Sequence, residues 1–518
     1  MKTGDYRRDY AAYAAALERA RYNYHTGAEP ELRLAPLADR YADLWTRDSI
    51  DDLTRAREEI STQFETERTA LNALLRAAQL GYVETHAAEV RNELARCLSS
   101  TGFEWNGARL AVDAVPDALA VEPDAARRRE LSARWFDALQ ACNDLRAARL
   151  DALGEAARAL DFNSYFHFQS GIAEETAIEN LSARAGDFLE RTASIYNAKL
   201  WEWAARHLPP DYARAPVYAD SLFLTRLSHL DPFFSASQLR ATYEATMGGF
   251  RIRVWQQRNV QLETTAAEVC AARAAACFAL NPPEDVRLVY RSEGGASLYG
   301  IFFEAAGRAQ SLAWVSRDLS ARYPEFVHAP DETTRAGFQL LFGDLLADTA
   351  WLAEHRNVRP SEASEIARSC AFVSLHHTRR ACARLQQERI LDEATDARSE
   401  QLAEGYATAL EEATNFRTHP SLYLRDLIPD NSHDTRESAH LPPAVYLRAR
   451  LFATALGEYF RTRHGHRWWA APKAADELID MWNTGSRYTV EELASLAGLG
   501  DLDFDLLADA LGSILTRK

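Results

Sequence analysis

Apolar positions along this chain fall at helical spacing over most of its length. Phe338, Leu341, Phe342, Leu345 and Leu346 stand at i, i+3, i+4, i+7 and i+8, the stripe of a helix over 333–354. Ile60, Phe64, Leu71, Leu74 and Leu75 make a similar stripe earlier and predict one long helix with charged residues on its other face. Near the end, Thr489 and Glu492 have capping-box spacing just before Leu493 and Leu496, so a helix starts there. One segment follows the other period. Val286-Arg-Leu-Val-Tyr290 alternates and is rich in β-formers, with Pro282-Pro283 before it and Gly294-Gly295 after it. It predicts a strand ending in a turn. A helix is then expected over 296–320, and strand, turn and helix in succession often build the wall of a cleft.

Helix breakers are few, with 23 Gly and 18 Pro in 518 residues, and Ala, Leu, Arg and Glu dominate. The fold class expected is mainly α. No repeat, low-complexity tract or flexible linker interrupts it, and a soft division falls near residue 180, separating a helical N-terminal lobe (1–180) from a larger one (181–518). The formal charge of −16 repels phosphate backbones and anionic membranes, so neither nucleic acid nor a membrane is expected as partner. Peptides, small molecules and other proteins remain. Cys97, Cys142, Cys270, Cys277, Cys370 and Cys382 form no CxxC pair. They are expected to be buried free thiols in a reducing cytoplasm. The first residues lack the apolar stretch of a signal peptide, and no run approaches the roughly 18 apolar residues of a membrane helix.

The expected helix after Gly294-Gly295 carries Phe302-Phe303-Glu304-Ala305-Ala306-Gly307-Arg308-Ala309-Gln310. This stretch resembles the active-site helix of the oligoendopeptidase F and thimet oligopeptidase family of zinc metallopeptidases. In that family the helix reads His-Glu-x-Gly-His, its histidines bind zinc and its glutamate activates the metal-bound water. Further resemblance lies in Leu160-Asp-Phe-Asn-Ser-Tyr165, Asp331 through Phe342, Asp348-Thr-Ala-Trp351-Leu352, Tyr446-Leu-Arg-Ala-Arg-Leu451, Trp468 through Gly485, and Gly500-Asp-Leu-Asp-Phe504. It covers 155–518 well and the first lobe more loosely. It implies a two-lobed, helical, zincin-like architecture with a central cleft.

The metal-binding positions depart from the family pattern. The first histidine falls on Glu304, the general-base glutamate on Ala305, the second histidine on Arg308, and the third ligand, a glutamate of the next helix, on Ala336. Zinc needs deprotonated ligands at about 2.0–2.2 Å, normally three from the protein in a catalytic site. Arg308 is always cationic, Ala305 and Ala336 have nothing to donate, and Glu304 alone cannot hold the ion against water. Glu304 and Arg308 stand at i and i+4 with the acid N-terminal, the favourable order for a helical ion pair, which is expected to fill the vacated space. No metal and no cofactor is expected.

Other signals have bland readings. His433, Glu437 and His440 share a face at i, i+4 and i+7 if helical, but Pro442-Pro443 and a polar composition favour a solvated loop. The resemblance gives that loop, just before Tyr446, a role in contacting the reacting carbonyl. His376 and His377 point about 100° apart on a helix and cannot face one ion. His464 and His466 flank Gly465 at an expected helix C-terminus. Trp468, Trp469, Trp482 and Tyr488 read as core. Tyr299, Trp314 and His328 either line the cleft or pack inside. Serine-hydrolase elbows, Walker loops and dinucleotide fingerprints are absent from the sequence.

The expectation is therefore a catalytically inactive pseudopeptidase that binds a peptide, small molecule or partner protein between its lobes. One alternative is an enzyme repurposed around Glu304 and Arg308. The other is a zinc endopeptidase whose site is displaced to His433–His440.

Overall fold

The computed structural model describes residues 2–172, 175–265, 274–394, 396–428 and 441–517. It is 73% helical, with a two-stranded hairpin (Gly102–Trp105, Ala108–Ala111) and one three-stranded sheet. The mainly α expectation holds.

The expected strand is the centre of that sheet. Asp285–Arg291 pairs in parallel with Val260–Thr265 and antiparallel with Ala275–Asn281. Successive side chains alternate between faces, and both faces are covered. Ala275, Cys277, Ala279, Val286 and Leu288 join the main core, where Tyr290 meets Phe302 edge-on at 5.1 Å. Ala276, Phe278, Leu280 and Val289 meet Tyr22 of the Thr3–His25 helix on the other side. A sheet buried on both faces reads as a near-continuous apolar run, as Ala275 to Leu280 does. At its edge, buried Glu18 accepts a hydrogen bond from the Ala279 amide at 3.0 Å and so closes an open strand.

Three helices carry the region of interest: Ala296–Ala313, Thr333–Gly343 and Pro443–His464. The first is launched by Gly295, at φ 121°, with its Ala296 amide held by the Asp231 carboxylate at 3.0 Å. The helices approach closely because glycines stand at the crossings. A Cβ at Gly307 would lie 2.6 Å from the Phe338 carbonyl oxygen, and one at Gly337 would overlap the Phe452 ring. Trp468, Trp469 and Trp482 fill the core behind them, and Tyr488 packs against it.

Several boundaries differ from the periodicity reading. The helix expected over 296–320 stops at Ala313, and Ser316 caps a separate turn, Arg317–Arg322, by accepting from the Leu319 amide. That expected over 333–354 breaks after Gly343 into a 3-10 turn and restarts at Thr349, where Asp348 accepts from the Ala350 and Trp351 amides. A cap residue offers these amides a better partner than a continued helix would. The early stripe is likewise two helices, Arg47–Glu59 and Glu65–His86, with Phe64 at the joint and 57% exposed. Leu71, Leu74 and Leu75 are buried as expected. The capping box at Thr489 and Glu492 forms in both directions, and His464 closes its helix ahead of Gly465.

The division near residue 180 falls inside the Glu175–His207 helix. A second core joins Trp135 and Leu139 to Tyr406, Leu410 and Leu424 across it. The thiol expectation needs correction for two residues. Cys97 and Cys142 form a disulfide, since the turn before the Asn143–Arg158 helix brings Cys142 to the Ala88–Ser100 helix with the two Cα atoms 6.1 Å apart. Cys370 and Cys382 are free thiols, and Cys277 is buried. No described helix is long and apolar enough to cross a membrane.

Candidate functional site

Arg308 lies on the face of the 296–313 helix that meets the 333–343 helix, and it is 4% exposed. Its guanidinium does not take Glu304 as the i, i+4 rule suggests. It holds the Glu332 carboxylate with both terminal nitrogens, at 2.5 and 3.1 Å, and reaches Gln339 Oε1 at 3.3 Å. Glu332, Ala336 and Gln339 stand at i, i+4 and i+7, so the guanidinium bridges a row with Ala336 at its middle. The bidentate fork explains the choice, because two parallel charge-assisted bonds outweigh one contact along the helix. Arg335 adds a second cation to Glu332 at 3.4 Å and donates to the Val327 carbonyl.

Glu304, one turn earlier, is half-buried and packs over Gly343, where a Cβ would come 2.9 Å from Glu304 Cγ. Its neighbours on the 443–464 helix are Tyr446 and Arg450. Arg450 Nη1 contacts both Asp344 oxygens at 2.7 Å. Burial works against the Arg450 charge, but Asp344 more than compensates and its pKa is raised. Burial also raises the Tyr446 hydroxyl, which Arg450 and a hydrogen bond to Thr378 pull back and Glu304 pushes further up.

Other predicted residues, His328 apart, are not brought to this face. Tyr299 is buried half a helical revolution from Arg308, donates to the Ser235 carbonyl at 2.8 Å and lies under Arg356. Trp314 donates to Gln310 Oε1 at 3.1 Å in a network with Tyr243 and Gln257. His328 does lie beside this region, between the Val327 and Ala329 carbonyls that accept from Arg335, and its own carbonyl accepts from Tyr10 at 2.5 Å. His376 is core, with its Nδ1 2.8 Å from the Tyr196 hydroxyl, and burial holds its imidazole well below the usual pKa. His433, Glu437 and His440 lie outside the described residues.

Glu332, Gln339, Asp344 and Arg450 were not singled out from sequence. The signal for the first two was present, since they flank Ala336 by −4 and +3 on a helix. Nothing local to Asp344 or Arg450 joins them.

PZ peptidase A with an inhibitor superposes with a TM-score of 0.66 at 12% identity, over 98% of this chain and 90% of that one. The Pyrococcus furiosus carboxypeptidase gives 0.61 at 14%, covering 98% and 97%. A protein described as an oligoendopeptidase F from Bacillus anthracis str. Ames gives 0.54 at 9%, covering 96% and 85%. The chain has a mainly helical, zincin-like peptidase fold. No protein-family model and no curated protein sequence matches it.

The resemblance read from the sequence implies a metal, so the donor set matters. Among the described residues, no group of three or more His, Cys, Asp or Glu side chains is arranged to hold an ion. The helix positions in question present Glu304, Ala305, Arg308 and Ala336. A guanidinium locked onto a carboxylate in that space does not fit a divalent cation.

Proposed function

We propose that this chain is a pseudopeptidase, keeping the peptidase fold without zinc-peptidase chemistry and using the region around Glu304, Arg308 and Tyr446 to bind. The observation that carries the reading is the Arg308–Glu332 fork, drawn across Ala336 where the resemblance puts the third metal ligand. The peptidase likenesses favour a peptide as occupant, with a small molecule or partner protein also compatible. The acidic surface disfavours nucleic acid and anionic membrane.

Metal analysis of the purified chain, with a quenched-peptide library, tests this. The expected result is substoichiometric zinc after incubation and gel filtration, and no chelator-sensitive cleavage. One bound zinc per chain with such cleavage would overturn the reading and point to His433–His440. A repurposed enzyme would instead show a turnover abolished by Glu304→Gln in a folded protein; on the pseudopeptidase reading that variant changes no reaction.

A cytoplasmic setting is part of the proposal. The Cys97–Cys142 disulfide argues the other way, since a cytoplasmic thiol pool would keep both residues reduced. For a cytoplasmic chain, mass-tagging of thiols in intact cells should label both, and protection of the pair would place the chain in an oxidising compartment.

A further inference from the structure

A cavity of ≈ 210 Å³ lies between the Tyr165–Ser170, Glu175–His207 and Pro360–Asp392 helices, closed on one side by Pro442 and Ala444. Its Glu388 is ten residues along the 360–392 helix from Thr378, the partner of Tyr446. At 1.5 Å per residue that is roughly 15 Å away. The pocket includes Ser164, from the motif at 160–165 that the proposed function leaves unused.

The polar groups here are incompletely satisfied. Glu388 is 6% exposed, and among the described residues its carboxyl has no hydrogen-bond or ion-pair partner. Both ring nitrogens of His167 are buried without a hydrogen-bond partner. Such groups carry a desolvation cost unless something pairs with them. Asp392 is fixed, since its Oδ2 accepts from Ser164 Oγ at 2.6 Å, and Ser164 Oγ in turn accepts from the His167 amide at 3.0 Å. Arg389 lies 3.7 Å from Glu179 at the rim, both partly exposed. Arg384 donates to the Asp426 carbonyl at 2.6 Å. The carboxyl left to meet a ligand in the cavity is therefore Glu388, with Asp392 beside it held by its own partners and the lining cation Arg389 close to Glu179.

We infer that this pocket binds a small organic cation, an ammonium or guanidinium group, at the Glu388 carboxyl. An anion would meet two carboxyls, and among the described residues the lining carboxyls and imidazole are not arranged to hold a single metal ion. The group has two sources, a free amine or the Lys or Arg side chain of a peptide. The inference does not depend on the state of the metal site.

Binding should be coupled to proton release. Burial holds the Glu388 carboxyl up to about 8, Arg384 lowers it and Asp392 raises it. The groups around it are Arg384, Arg389 and Asp392 on its own helix, Tyr165 and His167 on the short helix, and Glu179 across the pocket. A cation favours the ionised carboxylate and expels the proton, so affinity should rise with pH until about 8, by up to roughly tenfold per pH unit.

Calorimetry on the full chain tests this, with butylamine, butylguanidine and a lysine tripeptide as cations and butanol as neutral control, in buffers of differing ionisation heat. The expected result is saturable binding of a cation but not of butanol. Binding should release close to one proton at pH 7 and be roughly fivefold tighter at pH 8 than at pH 7. Glu388→Gln, which exchanges one neutral polar group for another and should fold, should lose at least tenfold in affinity at pH 8 and the proton release. Saturable binding of the free cations supports the first source, and binding of the tripeptide alone the second. No saturable binding of any cation to the wild type, unchanged affinity in the folded variant, or equal binding of butanol would overturn the inference.

Discussion

Glu332→Ala should destabilise the folded chain by about 3 kcal/mol, more than any conservative change on the same helix face. The substitution strips the carboxylate from Arg308, whose side chain is 5% exposed, and leaves a cation that cannot shed its proton. Removing one partner of a buried pair typically costs about 3–5 kcal/mol, and the low end applies because the Glu332 side chain is 26% exposed. The double variant Glu332→Ala with Arg308→Met should recover part of the loss, since the Arg308 charge is gone while Arg335 loses its Glu332 contact and keeps its carbonyl partners. Urea unfolding of the two single variants and the double one closes the cycle. Additive losses would show that the fork is not the organising contact between these helices, and the pseudopeptidase reading would lose its main support.

Glu388→Gln should leave stability nearly unchanged at pH 4 and raise it at pH 8 to 9. The carboxyl is held up to about 8 by burial, so between the ordinary carboxyl range and 8 the folded state binds the proton that the unfolded state has released. Wild-type stability from this group therefore falls as pH rises through that window. At about 1.4 kcal/mol per pH unit, the difference between wild type and variant should grow to roughly 3–5 kcal/mol by pH 9. Glu325, raised to about 7 by burial, contributes in the same direction but equally in both proteins. Denaturant titrations at pH 4, 6, 8 and 9 read the difference directly. A pH-independent gap would mean that Glu388 ionises normally in the folded protein.

How much of this was legible in the sequence varies with the range of the interaction. The strand at 286–290 and the capping box at Thr489 were readable because both depend on neighbours within a few residues. The helices at 296–313 and 333–343 were readable in kind but not in length. Asp348 and Ser316 end them by hydrogen bonds that an apolar stripe does not register. Arg308 was flagged as incompatible with a metal from its identity alone, yet the i, i+4 rule assigned it the wrong carboxylate. Its partner lies 24 residues away, brought to it by the close helix crossing at Gly307. The pairing of Cys97 with Cys142 was hidden for the same reason.

The residue types at 304, 305, 308 and 336 follow from the sequence by itself, and so does the mainly helical character, since propensity and apolar period are local properties. Only the tertiary structure decided what those residues meet: Glu332 for Arg308, and the backbone at Gly343 for Glu304. It also decided that Glu388 and His167 face one cavity. Partner choice across helices depends on crossing geometry and burial, and neither is written in the spacing of residues along one helix.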